Sequence, residues 1–145
     1  MCGIAGIIHN SKRNYESSIK LMNDAQIHRG PDDHGYKHYN NAAIGHTRLS
    51  IVDISNGSQP MTSQNKNICV TFNGEIYGFL DIKNKLNYDF LTNSDTEVLI
   101  ALYQKYGTEM FSKLNGMFAF GIWDNDKKLL ILARDRFGEK PLYYA

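Results

Sequence analysis

GMFAFGIWDNDKKLLILAR, residues 116–134, is the stretch that decides the architecture. Asn125, Asp126 and Lys127 divide it into two runs, residues 117–124 and 128–134, that read as the strands of a hairpin. Successive side chains of a strand point to opposite faces. Phe118, Phe120 and Ile122 therefore share one face, and Met117, Ala119 and Trp123 the other. In the second run Leu129, Ile131 and Ala133 oppose Leu130 and Leu132. Both faces are apolar, whereas a sheet with one wet face alternates apolar with polar. The hairpin thus predicts a sheet covered on both sides, by helices on one face and by a second sheet on the other. That is an α+β layered architecture.

Working outward, residues 96–106 carry the clearest helical pattern, with Val98, Leu99, Leu102, Tyr103 and Tyr106 on one stripe. Ser94 with Glu97 fits a capping box, and Gly107 stops the helix. Strands are expected at residues 3–8, 42–48 and 68–72, and a short helix at 81–86. A further helix is expected over 17–27, with Ile19, Leu21, Met22, Ala25 and Gln26 at roughly helical spacing. Residues 28–35, HRGPDDHG, read as a loop, because Gly-Pro and paired Asp break regular structure. Asn73-Gly74 is a turn signal that closes the strand at 68–72.

The 145 residues suit one domain, and 42% hydrophobic with 21% charged residues is a globular composition. A net charge of +1 selects neither nucleic acid nor an anionic membrane as a partner. No apolar stretch is long enough to span a bilayer, and the N-terminus lacks the basic and apolar regions of a signal peptide. Two cysteines, Cys2 and Cys69, make no disulfide framework, so a reducing, cytoplasmic setting is expected. No Cys/His pair has finger-like spacing, and no metal site is expected.

The chemistry concentrates at the N-terminus. Cys2 is either a small buried hydrophobe or a nucleophile. If Met1 is removed, Cys2 carries a thiol and a free α-amine on one residue. The α-amine has a pKa of roughly 7.7–8 against about 8.5 for a free thiol, so near neutrality it can accept the thiol proton. Acyl transfer also needs donors for an oxyanion. Asn73-Gly74 offers an amide and a glycine N–H, or is simply a turn. Arg48 can clamp a carboxylate bidentately or be a solvated strand end. Asp95 can hold an ammonium or be a first-turn acid favoured by the helix dipole. Taken singly, each ordinary reading is the stronger.

The motifs do not stand singly. MCGIAGI at 1–7, HRGPDDHG at 28–35, HTRLSIVD at 46–53, QPM at 59–61, FNGEIY at 72–77, NSDTEV at 93–98, GMFAFGIWD at 116–124 and ARDRFGEKPLYY at 133–144 follow in order. This series closely resembles the N-terminal domain of glutamine-hydrolysing asparagine synthetases, a branch of the class II glutamine amidotransferases. The resemblance runs nearly end to end and sets this branch apart from the glucosamine-phosphate synthase and purine-pathway branches. It implies the four-layer αββα sandwich of the N-terminal-nucleophile hydrolases, lacking its last strands within these 145 residues. It implies a glutaminase: Cys2 as nucleophile with its α-amine as base, and Asn73 and Gly74 as the oxyanion hole. Arg48 would hold the glutamine α-carboxylate, with Leu49, Ser50, Ile51 and Val52 as the adjoining wall, and Glu75 and Asp95 would face the α-amine. Between Tyr77 and Asp95 the chain is a few residues shorter than is usual for the family, with Gly78 where Asn is common. The rival reading is a non-catalytic module that binds glutamine or a partner. A papain-like Cys–His hydrolase is disfavoured, since neither cysteine lies in a C-G-S-C-W-like segment.

No G-x-x-x-x-G-K followed by Ser or Thr is present, nor the Ser-Gly-Gly loop that the family carries in its second domain. ATP and Mg²⁺ are therefore expected only for a synthetase domain outside these residues, joined in cis or met in trans.

Overall fold

The computed structural model describes residues 1–10 and 13–145. Two antiparallel sheets lie face to face between helices. The first sheet holds β1 (Gly3–Ile8), β2 (Asp33–His38) and β3 (Ala42–Arg48) in the order β1-β3-β2. The second holds β4 (Met61–Thr62), β5 (Ile68–Ile76), β6 (Gly116–Asp124) and β7 (Leu129–Arg134) in sequence order. Helix α1 (Glu16–Asp24) covers the first sheet, and α2 (Phe79–Lys85) and α3 (Asp95–Tyr106) belong to the layer on the second. The result is the four-layer αββα sandwich.

The hairpin β6–β7 divides its faces as its sequence pattern predicts. Phe118, Phe120 and Ile122 join Val98, Leu99 and Leu102 of α3 in the main core. Trp123, on the other face, packs with Cys69, Ala42 and Ile44 between the sheets. Polar groups also tie the sheets together: Thr71 Oγ1 on β5 donates to Gly45 O on β3 at 2.9 Å and lies 3.0 Å from His46 Nδ1. With its own proton given to Gly45, the Thr71 oxygen accepts from Nδ1–H, which leaves the buried Nε2 of His46 as a bare acceptor. Burial holds this imidazole down to about 3, with the Arg48 charge adding to the effect and Asp33 opposing it.

Several local expectations change on folding. Asn73-Gly74 is not a turn. Strand β5 runs straight through it, pairing Asn73 with Ala119 and Gly74 with Phe118. Gly74 is needed there because a Cβ would run into Met117 O. The second half of HRGPDDHG is strand rather than loop, because β2 pairs with β3 from Asp33 onward. Helix α1 turns Ile19 and Asn23 inward and leaves Leu21 and Met22 exposed. A polar residue faces in because Asn23 Nδ2 donates to Gly35 O at 2.9 Å. Ser94 does cap α3, accepting from Thr96 N at 3.1 Å, but Glu97 does not return the bond to the cap. It accepts from the backbone N–H groups of Leu91 and Thr92 at 3.0 and 2.7 Å and so pins the preceding loop. Gly78, at φ 67°, enters α2 in the left-handed region that Gly and Asn both tolerate, so the exchange leaves the helix in place.

Candidate active site

At one end of the sandwich β1 begins, β3 ends and α3 starts, and β5 passes between them. A cavity of about 210 Å³ opens there, lined by Cys2, Arg48, Leu49, Ile51, Val52, Asn73, Gly74, Glu75 and Asp95 among others. It is small beside the roughly 300–1,000 Å³ clefts that hold drug-sized ligands. Residues scattered over more than ninety positions of sequence thus meet in one space. Ser50 is the exception. It does not line the cavity; its N–H is turned away to Asp32 Oδ2 at 2.7 Å.

Cys2 precedes β1, whose first pair, Gly3 with Thr47, sets it beside the end of β3. Its Sγ accepts from Leu49 N at 3.4 Å, and its carbonyl accepts from Arg29 Nε at 3.0 Å. The sulfur also donates to Leu49 O at 3.7 Å, so both of its polar contacts are to the backbone of Leu49. The other thiol, Cys69, is fully buried between the sheets, and burial pushes it up to about 12. Only one cysteine is therefore open to chemistry.

Arg48 is buried yet has no carboxylate in ion-pair contact among the described residues. Its guanidinium donates to the carbonyls of Ile54, Val52 and Asp53 at 3.0, 3.0 and 2.8 Å. Three of five donors hold the loop over the cavity, and the charge itself stays uncompensated. That loop is tied to the far wall by Asp53 Oδ2, which accepts from Asn93 N at 2.7 Å. Asp95 is equally uncompensated. Its Oδ2 accepts from Ile76 N at 3.1 Å, and burial raises its carboxyl to about 6 against the lowering effect of the Ile76, Asp95 and Thr96 N–H groups. A cation and a carboxylate that pair with no opposite charge among the described residues, in one cavity, suit a zwitterion such as a free amino acid.

The profile of the glutamine amidotransferase domain matches residues 1–145, the whole chain. This chain belongs to that family. Among curated relatives it is 45% identical to asparagine synthetase [glutamine-hydrolyzing] 1 of Bacillus subtilis, over 99% of this chain and 24% of that protein. It is 40% identical to asparagine synthetase B of Escherichia coli over 99% and 26%, and 39% identical to the amidase chyE of Penicillium rubens over 99% and 24%. The chain therefore spans about a quarter of the length of these relatives. Among solved structures it is similar to the glutamine phosphoribosylpyrophosphate amidotransferase of B. subtilis, at 29% identity and a TM-score of 0.53, over 68% of this chain and 24% of that one. The amidotransferase domain is thus homologous to the glutaminase half of the asparagine synthetases.

Two residues that line this cavity escape single-residue reasoning. Gln59 makes both halves of a strand-like pairing with Phe72, its Oε1 accepting from Phe72 N at 2.7 Å and its Nε2 donating to Phe72 O at 3.3 Å. It steadies β5 just before Asn73, at an edge the two-residue β4 does not reach. Lys140 reaches the cavity from the C-terminal turn and is 9% exposed. Both fall inside quoted motifs, QPM and RDRFGEKPLYY, which are the only signal for them in the sequence.

Proposed function

We propose that this domain hydrolyses L-glutamine to L-glutamate and ammonia through a thioester on Cys2. The observation that carries the reading is the shared cavity: one accessible thiol, between an uncompensated Arg48 and an uncompensated Asp95, beside Asn73 and Gly74. Arg48 binds the α-carboxylate, and Asp95 with Glu75 binds the α-ammonium, so the side-chain amide points to Cys2. With Met1 gone, the α-amine takes the thiol proton and the sulfur attacks the amide carbon. Asn73 and the Gly74 N–H stabilise the oxyanion. The C–N bond breaks as the amine returns its proton to the leaving nitrogen, which departs as ammonia. Water then hydrolyses the thioester, the α-amine again serving as base.

Glutaminase relatives named as asparagine synthetases support asparagine as the destination of the nitrogen, with a synthetase domain in cis or in trans and with ATP and Mg²⁺ used there. The cytoplasm is the setting this proposal implies. Among the described residues no helix is long and apolar enough to cross a membrane.

The test is intact-mass analysis joined to a glutaminase assay. We expect loss of Met1, release of glutamate and ammonia, and labelling of Cys2 by a glutamine-analogue diazo-ketone. Cys2→Ala is expected to abolish hydrolysis and Cys69→Ala to leave it nearly intact. A protein that keeps Met1 and still turns over glutamine, or one labelled on Cys69, overturns the mechanism.

A further inference from the structure

The turn from Asp135 to Lys140 is built around one carboxylate. Asp135 Oδ1 accepts from Phe137 N at 3.1 Å and Glu139 N at 2.9 Å, while Oδ2 accepts from Lys140 N at 3.0 Å and Phe118 N at 3.2 Å. Burial alone would raise this carboxyl, but the four N–H groups outweigh it and bring it to about 2. Arg134 Nε adds a bond to Lys140 O at 2.7 Å, and Gly138, at φ 69°, makes the reversal in the left-handed region. Phe137, in the same turn, is 89% exposed. What the turn delivers inward is Lys140.

Lys140 lines the Cys2 cavity, and its Nζ has a single polar partner among the described residues, Met1 Sδ at 3.5 Å. Among the described residues no carboxylate is in ion-pair contact with it. A thioether is a poor partner for an ammonium, and an apolar side chain would pack there at lower cost if packing were the purpose. Removal of Met1 takes that partner away and leaves the ammonium facing the space next to the new N-terminus.

We propose that Lys140 is a positioning residue for the proton chemistry of the N-terminus, its ammonium keeping the Cys2 amine–thiol pair short of one proton near neutral pH. The proposal rests on Cys2 being the mature N-terminus. The pair loses its first proton from a unit of charge +1, whether the proton leaves sulfur or nitrogen. A nearby cation therefore lowers that first macroscopic step in either case. Other charges also face Cys2. Arg29, beside β1, donates to the Cys2 carbonyl; Arg48, at the end of β3, is tied to its loop; Glu75 on β5 and Asp95 at the start of α3 bring opposite charge. Both arginines are held by backbone carbonyls, whereas the Lys140 ammonium has no oxygen acceptor among the described residues.

The experiment uses the full chain with Met1 removed, checked by intact mass, as wild type, Lys140→Met and Lys140→Arg. Two pH profiles are read: the rate of Cys2 alkylation by iodoacetamide, and the acid limb of kcat/KM for glutamine. In Lys140→Met both should move up by about one pH unit, the size a close charge imposes, while Lys140→Arg keeps both at the wild-type position. A purely structural role would change rate or Tm but leave the midpoints in place, and that result overturns the proposal. If Lys140→Met does not melt cooperatively, Lys140→Gln is read in the same way. Alkylation needs no turnover, so the two ideas fail separately. A moved midpoint without hydrolysis sinks the glutaminase reading alone; normal hydrolysis with unmoved midpoints sinks the role of Lys140 alone.

Discussion

Around the sheet of β4 to β7 and helix α3, fifteen of the described residues are buried in one continuous cluster, Met110 and Leu114 of the segment after α3 among them. The sheet of β1 to β3 and helix α1 share much less, a cluster of Ala5, Ile19 and Ala43 and part of the small patch around Trp123. The proposed site draws on both sides. Asn73, Gly74 and Asp95 stand on the thick side, where packing holds the backbone. Cys2 and Arg48 stand on the thin side and depend on hydrogen bonds to Leu49 and to the carbonyls at 52–54. The contrast suits the chemistry. Oxyanion donors work by being fixed in advance, while a substrate clamp and a loop must let a ligand in.

The largest expected effect tests whether the thick side is the stabilising one. Phe120→Ala should cost about 3–5 kcal/mol in urea unfolding, whereas Ile19→Ala, in the smaller cluster, should fall near the lower end of the roughly 2–5 kcal/mol range for such truncations. Equal losses would erase the distinction between the two sides.

Next comes the division between fixed donor and substrate clamp. Asn73→Ala should lower kcat by about 10²–10³, with KM little changed. On the proposed assignment Arg48→Ala should chiefly raise KM, since the α-carboxylate it would hold does not react. Steady-state kinetics on folded protein separates the two, and a change in KM alone for Asn73→Ala would remove it from the oxyanion hole.

The smallest effect concerns Asp95, whose buried carboxyl is raised to about 6. Only the ionised form holds an ammonium, so KM for glutamine should rise as pH falls through about 6. The sign for stability is opposite. A raised carboxylate favours the protonated folded state, and that contribution is lost as pH rises from its ordinary value towards 6. Asp95→Asn keeps an oxygen for Ile76 N, so it should melt no lower than wild type near neutrality while its KM becomes high and independent of pH in this range. A variant that melts clearly lower would mean that the charge serves the fold instead.

How much could be read beforehand follows from the range of each interaction. The β6–β7 hairpin was legible because a period of two with both faces apolar is a local pattern, and it implies a covering layer on each side. Helix α3 was legible for the same reason. Asn73-Gly74 misled because turn preference is local too, and a register of nine pairs with β6, together with the close approach of Met117 O, overrides it. Strand β2 was hidden because His34, Lys37 and His38 carry no apolar alternation; pairing with β3 makes it a strand.

The sequence by itself therefore determined the layered α+β architecture and, through the ordered series of motifs, the family and the residue types of its site. Only the tertiary structure decided which of those residues share a cavity. It brought Cys2, Arg48, Asn73 and Asp95 together, turned Ser50 away towards Asp32, and added Gln59 and Lys140. The physical reason is that burial and hydrogen-bond partners are set across the sheets. Lys140 meets Met1 from 139 positions away, and no local pattern of side chains carries that information.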